Sequence, residues 1–599
     1  MSRIVDEKFK DSSPVETVER ILKILSDNGL TVTETWQEYC ISNCYALRLD
    51  LDGTSFGSNG KGVTPELARA SAHAELMERI QSGTLGPNAN LIYPDAVWMD
   101  RDTLRAKSDV LFDRLSKISQ AFDSVPVPAE RFLEAAFEFA GSEDKIQAIP
   151  FYNLTDDSTV YVPASLMTPL YSSTGLAAGN SPEEAMVQGM SEIVERWCQR
   201  HFLCKGMVPP TIPEDYLKQF PMAYETITQV RASGYDVIIK DCSMGWGWPA
   251  IATVVIDKKT HAYHVHMGAS PVFEIALGRS LTETFQGRVL NSVADTYLTE
   301  SPKDTCTYRK SYVKGRGAYP ISYFTDEPSY PFVPFEDRSH CSNKDLLRYA
   351  LNYFHSKGMK IYARDLSHWG FCTYQIIVPE ICVSHFGIFG SDLNVPLLQS
   401  NSKKYRHTIK SATEDQLFEQ QLLNLYFTNH LLIDHLPKCS VLLTLPVSPD
   451  VRIDSAVGNA FIGYVEWVCG SKSQAMKNAG AIAQMNIPGM SDYFSCLCRV
   501  IDLMKEGQSL ADALRRLSVF YEKDTIEELR NTLENKENPF APYVVNCSED
   551  STNCADCRYA QSCSRENDKK IGQLVNQHAN AFDIQKSFVD LRNLLQSLL

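Results

Sequence analysis

Two pairs of glutamates, Glu75 with Glu78 and Glu192 with Glu195, stand three residues apart, and each pair is followed at once by an arginine, Arg79 or Arg196. Residues three and four apart share a helix face, so each pair presents two carboxylates side by side. Exposed helices often carry such acids, and one pair alone would mean little. Here the surroundings repeat as well. Gly62-Val63-Thr64-Pro65-Glu66-Leu67-Ala68 precedes the first pair, and Gly179-Asn180-Ser181-Pro182-Glu183-Glu184-Ala185 precedes the second without a gap in register. A third, weaker copy at Glu274-Ile275-Ala276 places Glu283 at the same interval, with Gln286 where the second glutamate would fall. Five glutamates converging on one centre repel one another unless cations join them. Magnesium takes hard oxygen ligands and is usually completed by substrate phosphates, so the pattern predicts a nucleotide site.

The elements that must position these side chains carry helix-start chemistry. Thr64 and Ser181 suit the N-cap, Pro65 and Pro182 the first helical position, and Glu66 and Glu183 the positive end of the dipole. On the predicted helices Ser71, Glu75 and Glu78 share a face, as do Gln188, Glu192 and Glu195, and Arg279, Glu283 and Gln286. Leu67, Ala70, Ala74 and Met77, and Met186, Met190, Ile193 and Trp197, are expected to pack on a core. Asn59-Gly60-Lys61-Gly62 and Ala178-Gly179-Asn180 read as small-residue loops ahead of helix N-termini, where free N–H groups can face phosphate oxygens. The longer spacing of a P-loop is absent. Arg279 and Arg288 are candidates to neutralise a transferring phosphoryl group. Lone histidines such as His73, His264, His266 and His385 are more often structural than catalytic.

Between the helices, runs such as Tyr45-Ala46-Leu47-Arg48-Leu49, Val160-Tyr161-Val162, Ile251-Ala252-Thr253-Val254-Val255-Ile256 and Tyr374-Gln375-Ile376-Ile377-Val378 read as strands. The expected fold is therefore α/β or α+β, with internally repeated strand–helix units, followed by an all-helical C-terminal domain. The expected divisions are an N-terminal segment over 1–55, an α/β or α+β domain over 56–410, and a helical domain over 411–599; the family resemblance below implies that the second binds ATP and that the first contributes to the nucleotide site. In the last, helical spacing is read over 415–435, 470–485, 492–506, 509–521 and 578–598.

Taken in order, Gly60-Lys61-Gly62 with Glu75-x-x-Glu78-Arg79, then Ala178-Gly179-Asn180 with Gln188-x-x-x-Glu192-x-x-Glu195-Arg196, then Arg279-x-x-x-Glu283-x-x-Gln286-Gly287-Arg288, resemble the YcaO family. The resemblance is strongest over the first two-thirds of the chain. It implies use of ATP and Mg²⁺ to activate a peptide backbone amide, whose carbonyl oxygen takes the γ-phosphoryl group and later leaves as phosphate. It also implies that Glu75, Glu78, Glu192, Glu195 and Glu283 hold magnesium. Lys10, Thr17, Ser71, Asn180, Glu184, Gln188, Arg279 and Gln286 would then contact the nucleotide. One departure is visible: a serine often found three residues before the asparagine is Ala177 here.

Azoline-forming members of the family typically end in a proline-rich PxPxP tail, whereas this chain ends Leu594-Leu595-Gln596-Ser597-Leu598-Leu599. The wording Ser191-Glu192-Ile193-Val194-Glu195-Arg196 and the helical C-terminal part instead resemble the branch implicated as an accessory factor in β-methylthiolation of a ribosomal-protein aspartate. That branch implies a ribosomal protein as substrate and a radical methylthiotransferase or sulfur donor as partner, and the family suggests a homodimer. Two other readings stay open: a cyclodehydratase or thioamide-forming enzyme of peptide natural products, and a nucleotide-binding scaffold without turnover. A further candidate centre is the four-cysteine element over 547–563, Cys547, Cys554, Cys557 and Cys563, whose central Cys-x-x-Cys suits tetrahedral zinc. An iron–sulfur cluster, or no metal, are its alternatives.

The bulk numbers limit the field. At 599 residues the chain exceeds what one hydrophobic core supports, and 44% hydrophobic with 22% charged residues is ordinary for a globular protein. A net charge of −15 without a basic block argues against direct nucleic-acid binding. No apolar run reaches membrane-spanning length, and the charged start resembles no signal peptide, so a cytoplasmic protein is expected. The 17 cysteines, odd in number and mostly in apolar contexts, fit a reducing compartment.

Overall fold

A computed structural model describes residues 8–38, 41–84, 93–122, 126–140, 142–171, 173–288, 290, 293–294, 296–297, 319–325, 327–382, 448, 450–468, 470–544, 554 and 557–598. The expected helix over 415–435 and Cys547 lie outside these residues.

The first unit built from the named elements is α-β-β-β-α. Helix α1 (Pro14–Asp27) starts at a capping box in which Ser13 and Glu16 satisfy each other's backbone N–H groups. It buries Val18, Ile21 and Leu25. An antiparallel meander follows, β1 (Val32–Trp36), β2 (Tyr45–Leu51) and β3 (Gly57–Gly62), and runs straight into α2 (Pro65–Ser82). The first expected loop, residues 59–62, is thus the end of a strand. Thr64 caps α2 by accepting from the Leu67 N–H, and Gly83 closes it in the left-handed region.

The second unit is larger. Strand β4 (Val97–Met99), α3 (Arg101–Phe122), α4 (Ala129–Ala140), β5 (Ile146–Asn153), β6 (Ser158–Pro163) and α5 (Ala164–Tyr171) lead to the short β7 (Leu176–Gly179) and the long α6 (Pro182–Lys205). Ser181 caps α6 through the Glu184 N–H, as Thr64 does in α2. The third unit repeats the α-β-β-β-α pattern of the first: α7 (Pro221–Ala232), the meander β8 (Tyr235–Asp241), β9 (Ala250–Asp257) and β10 (Tyr263–Ala269), then α8 (Phe273–Phe285). Helix α9 (Asn343–Ser356) and strands β11 (Tyr362–Asp365) and β12 (Cys372–Ile377) complete the domain, forming a six-stranded sheet in the order β4-β5-β11-β12-β7 with β6 on β5. Every named strand pair is antiparallel, which makes the fold α+β.

The three strand–helix units close into a ring. Helix α2 packs on its own β3 and on β7 of the second unit, α6 on its own β7 and on β10 of the third, and α8 on its own β10 and on β3 of the first. Close strand–helix crossings make the ring tight. A Cβ on Gly60 would come within 2.1 Å of the Ala68 carbonyl, and one on Gly268 within 2.6 Å of the Ser280 amide. In the second unit the small residue has changed sides: Ala177 is on the strand, and Gly189 on the helix lies against it. Gly60→Ala is therefore expected to lower stability by roughly 1–3 kcal/mol, as overpacking does, measured as a lower urea midpoint.

The C-terminal helices divide into two groups. α10 (Val451–Val468), α11 (Lys472–Ala483), α12 (Met490–Lys505), α13 (Leu510–Leu517) and α14 (Lys523–Glu534) share a core of their own around Tyr493, Phe494, Leu497 and Phe540. The expected helix over 578–598 is instead two, α15 (Arg565–Ala581) and α16 (Ile584–Leu598). These pack on the α+β domain: Ile571 and Val575 join the α2 core, and Leu591 and Leu598 join the main one. Asp568 accepts from the Ser55 backbone N–H at 3.0 Å, and the His578 ring meets the Asn28 side chain at 2.7 Å. Among the described residues no helix is long and apolar enough to cross a membrane.

Candidate active site

The ring of helices surrounds a cleft of about 640 Å³. Equivalent positions of α2, α6 and α8 face it in layers. The first layer is Leu67, Glu184 and Ile275; the second Ser71, Gln188 and Arg279; the third Glu75, Glu192 and Glu283; the fourth Glu78, Glu195 and Gln286. Lys10 and Thr17 close the cleft from the N-terminal side. All of the expected nucleotide and magnesium positions therefore line one cavity. Two details differ from expectation. Leu67 and Ala70 face the cleft, while Met77 joins Ala68, Ala72 and Leu76 in the core stripe of α2 and Ala74 both packs on that core and lines the cleft. Gln286 lies just beyond the end of α8, which lacks a side-chain cap at its start and breaks at Gly287 (φ 71°).

One end of the cleft is a network of polar groups. Thr17 donates to Asn180 Oδ1 at 2.9 Å, and Asn180 Nδ2 donates to Glu184 Oε2 at 3.2 Å. Lys10 Nζ pairs with Glu184 Oε1 at 3.0 Å, and the Asp11 N–H reaches Glu184 Oε2 at 3.1 Å. This network ties the first residues of the described chain to the second unit. In the next layer Arg279 Nη1 donates to Gln188 Oε1 at 2.6 Å, so the guanidinium is held across the cleft.

The glutamates lie where burial and mutual repulsion oppose their charge. Burial pushes Glu78 up to about 8, with Glu192 and Glu75 adding to the shift and Arg79, 3.2 Å from its carboxylate, opposing it. Burial raises Glu192 and Glu195 as well. Glu283 differs: burial would raise it too, but its ion pair with Lys61 and the nearby His266 hold it down at about 2. Arg79 also approaches Glu75 at 3.6 Å, and Arg196 approaches Glu192 at 4.0 Å. Sequence reasoning gave no role to Arg79, Arg196 or His266, although the two arginines close both copies of the repeat.

The donor set fits Mg²⁺. It includes the carboxylates of Glu78, Glu192 and Glu195, whose ionised forms burial disfavours, so a cation would relieve a real electrostatic cost. Among the described residues no three histidine, cysteine or acidic side chains already stand as a metal cage. Magnesium does not demand one, since it commonly joins one or two carboxylates to substrate phosphates and water. Of the four-cysteine element, Cys554 is exposed and Cys557 and Cys563 are half-buried, while Cys547 lies outside the described residues.

The pH dependence follows from Glu78. Its folded value lies above the ordinary 4.5, so its protonated form favours folding, and that contribution is lost as pH rises through about 8. Between pH 7 and 9 the metal-free protein is therefore expected to lose thermal stability. Mg²⁺ with nucleotide should restore more stability at pH 9 than at pH 7, and near pH 7 its binding should release protons. Calorimetry in buffers of different ionisation enthalpy measures that release.

The family model described as YcaO cyclodehydratase, ATP- and Mg²⁺-binding, matches residues 59–382. The Escherichia coli protein named ribosomal protein S12 methylthiotransferase accessory factor YcaO is 28% identical over 389 residues, covering 62% of this chain and 65% of its own length. An uncharacterised protein of Haemophilus influenzae is 25% identical over 388 residues, with the same coverage of both chains. The chain thus matches about 65% of the length of these relatives. A solved heterocyclase in complex with substrate and cofactor is similar at a TM-score of 0.46 and 20% identity, over 63% of this chain and 54% of that one. With three helix faces in one ring and a family match over more than half of its length, the protein belongs to the YcaO family of ATP- and Mg²⁺-binding cyclodehydratases.

Proposed function

We propose that the cleft binds ATP with Mg²⁺ and directs the γ-phosphoryl group onto the carbonyl oxygen of a peptide backbone amide. The observation that carries this reading is the layered ring, whose third and fourth layers gather five carboxylates below the bridging guanidinium of Arg279 in one cavity. Polyphosphate chemistry needs that combination of metal ligands and a fixed cation.

In this reading Mg²⁺, when bound, neutralises phosphate charge between Glu75, Glu78, Glu192, Glu195 and Glu283. Lys10, Thr17, Asn180 and Glu184 hold the nucleoside end, where Leu67 and Ile275 offer apolar faces to the purine. Ser71, Gln188 and Gln286 orient the phosphates, and Arg279 faces the group in transfer. A nucleophile adds to the amide carbon and gives up its proton; during or after that attack the amide oxygen bonds to the γ-phosphorus as the bond from phosphorus to the bridging oxygen breaks, and ADP departs with the electron pair. Phosphate then leaves with the former carbonyl oxygen.

The biological role that fits is accessory to protein modification in the cytoplasm. The substrate would be a ribosomal protein and the partner a radical methylthiotransferase or sulfur donor. The Escherichia coli relative supports this through its name. Mass spectrometry of ribosomal proteins from cells with and without the protein tests it. The reading expects a methylthio group lost from a ribosomal aspartate on deletion. An unchanged ribosomal proteome would overturn it, and loss of water or oxygen-for-sulfur exchange in some other peptide would favour the cyclodehydratase or thioamide chemistry.

A further inference from the structure

The chemistry of metal and phosphate leaves one polar side chain of the cleft unused. Asn343 opens α9 directly after Ser342, whose hydroxyl caps the helix by accepting from the Asp345 N–H, so its place is fixed by the fold. It lines the cleft, yet the residue is only 7% exposed. Its Nδ2 donates to the Phe9 carbonyl at 3.0 Å. A carbonyl only accepts, so the amide cannot turn over without setting two acceptors against each other. Oδ1 is thereby committed to the other side, and among the described residues nothing donates to it. A nearly buried acceptor without a donor costs free energy, and a ligand that brings an N–H removes that cost.

The surroundings select which part of a ligand meets this oxygen. Leu346, one turn along α9 from Asn343, lines the cleft with Phe9 and Ile275, and all three belong to or pack on one apolar cluster. Such side chains suit a planar ring and not a phosphate. Phe9 also precedes Lys10, whose Nζ pairs with Glu184 of the first layer at 3.0 Å. Asn343 therefore stands at the first-layer end of the cleft. The carboxylates lie at the other end: from Glu184 to Glu195 helix α6 rises about 16 Å, close to the span of an extended nucleoside triphosphate. With phosphates at the carboxylates, the base reaches Asn343.

We propose that Asn343 Oδ1 accepts a hydrogen bond from the exocyclic 6-amino group of the purine, and that this contact makes the cleft select ATP over nucleotides without that donor. The proposal rests on the metal–nucleotide reading of the cleft. The 6-oxygen of guanine is itself an acceptor and would face Oδ1 with like partial charge. The layered ring cannot make this choice, because its carboxylates and Arg279 meet groups that every nucleoside triphosphate shares. Asn343 lies on α9, after the three repeated units, so the repeat gives no sign of it.

Calorimetry of the full chain with Mg²⁺ tests the proposal by comparing ATP with purine riboside 5′-triphosphate, which differs only in lacking the 6-amino group, and with GTP. The wild-type protein should bind the purine analogue about tenfold more weakly than ATP, the cost of one acceptor left without its donor, and GTP at least as weakly. That comparison changes no side chain, so folding does not enter it. In Asn343→Ala the affinity for ATP should fall to that for the analogue, with the wild-type circular dichroism kept. Equal binding of ATP and the analogue to the wild-type protein would overturn the proposal and leave the metal–nucleotide site intact. A preference for ATP over the analogue that persists in Asn343→Ala would also overturn it. Absence of Mg²⁺-dependent binding of all three nucleotides would overturn both.

Discussion

Glu78→Gln is expected to raise the melting temperature of the metal-free protein at pH 9 while weakening Mg²⁺·ATP binding about a hundredfold or more. Both effects have one cause. In the fourth layer Glu78 is half-buried beside Glu75 and Glu192, and its ionised form is disfavoured until about pH 8. A neutral amide of the same shape removes a charge that costs a few kcal/mol to hold at alkaline pH. The same change leaves a cation with one carboxylate fewer, and breaking a buried charge pair typically costs about 3–5 kcal/mol. A residue that destabilises the empty fold while strengthening ligand binding is placed for function. The decline in stability between pH 7 and 9 should also shrink in this variant, which a thermal-shift series across pH would show. A lower melting temperature at pH 9, with binding unchanged, would return Glu78 to an ordinary structural role.

Arg279→Ala is expected to slow ADP formation about a thousandfold, in the range found when a phosphoryl-clamping arginine is lost. It should weaken Mg²⁺·ADP binding less than tenfold. The difference arises because Arg279 stands in the third unit where the other two copies place Ser71 and Gln188, so it is the charged member of its layer. Gln188 fixes the guanidinium through the 2.6 Å bond, and burying such a fork in a preset position is what makes it effective on a developing phosphoryl charge. Arg279→Lys should recover only part of the rate, because an ammonium cannot both keep the Gln188 bond and present a planar fork. Steady-state turnover and ADP titrations on the same preparations separate the two effects. Equal losses in both would make Arg279 a nucleotide-binding residue without a part in transfer.

The first two units were legible because their helix starts are written in local chemistry. Thr64-Pro65 and Ser181-Pro182 cap and open α2 and α6 as their residue types require. The third start lacks a capping side chain, so only the interval from Ala276 to Glu283 betrayed it. The face assignment of α2 failed at Leu67 and Ala70 because small and apolar residues can line a ligand cavity as well as a core. Reading residues 59–62 and 178–179 as loops erred for a related reason: glycines in these strands serve close packing against helices, and Gly60 and Gly268 show it most clearly. The ring itself leaves no local trace, since α8 meets β3 across more than two hundred residues of sequence. The same distance hid His266, an isolated histidine until α8 brings Glu283 beside it. The break between α15 and α16 falls within a continuous apolar periodicity, and their return to the first domain follows from Ile571, Val575 and Leu591 finding cores formed far earlier in the chain.

Isothermal titration of the intact chain with ATP, with and without Mg²⁺, tests the central claim most directly. One nucleotide per chain should bind in the presence of Mg²⁺. Affinity should drop at least tenfold in EDTA, and Glu75→Gln and Glu192→Gln should lose the Mg²⁺ dependence while keeping the wild-type circular dichroism. Equal affinity with and without Mg²⁺, or unchanged binding in both variants, would contradict a metal–nucleotide site at the centre of the three helices.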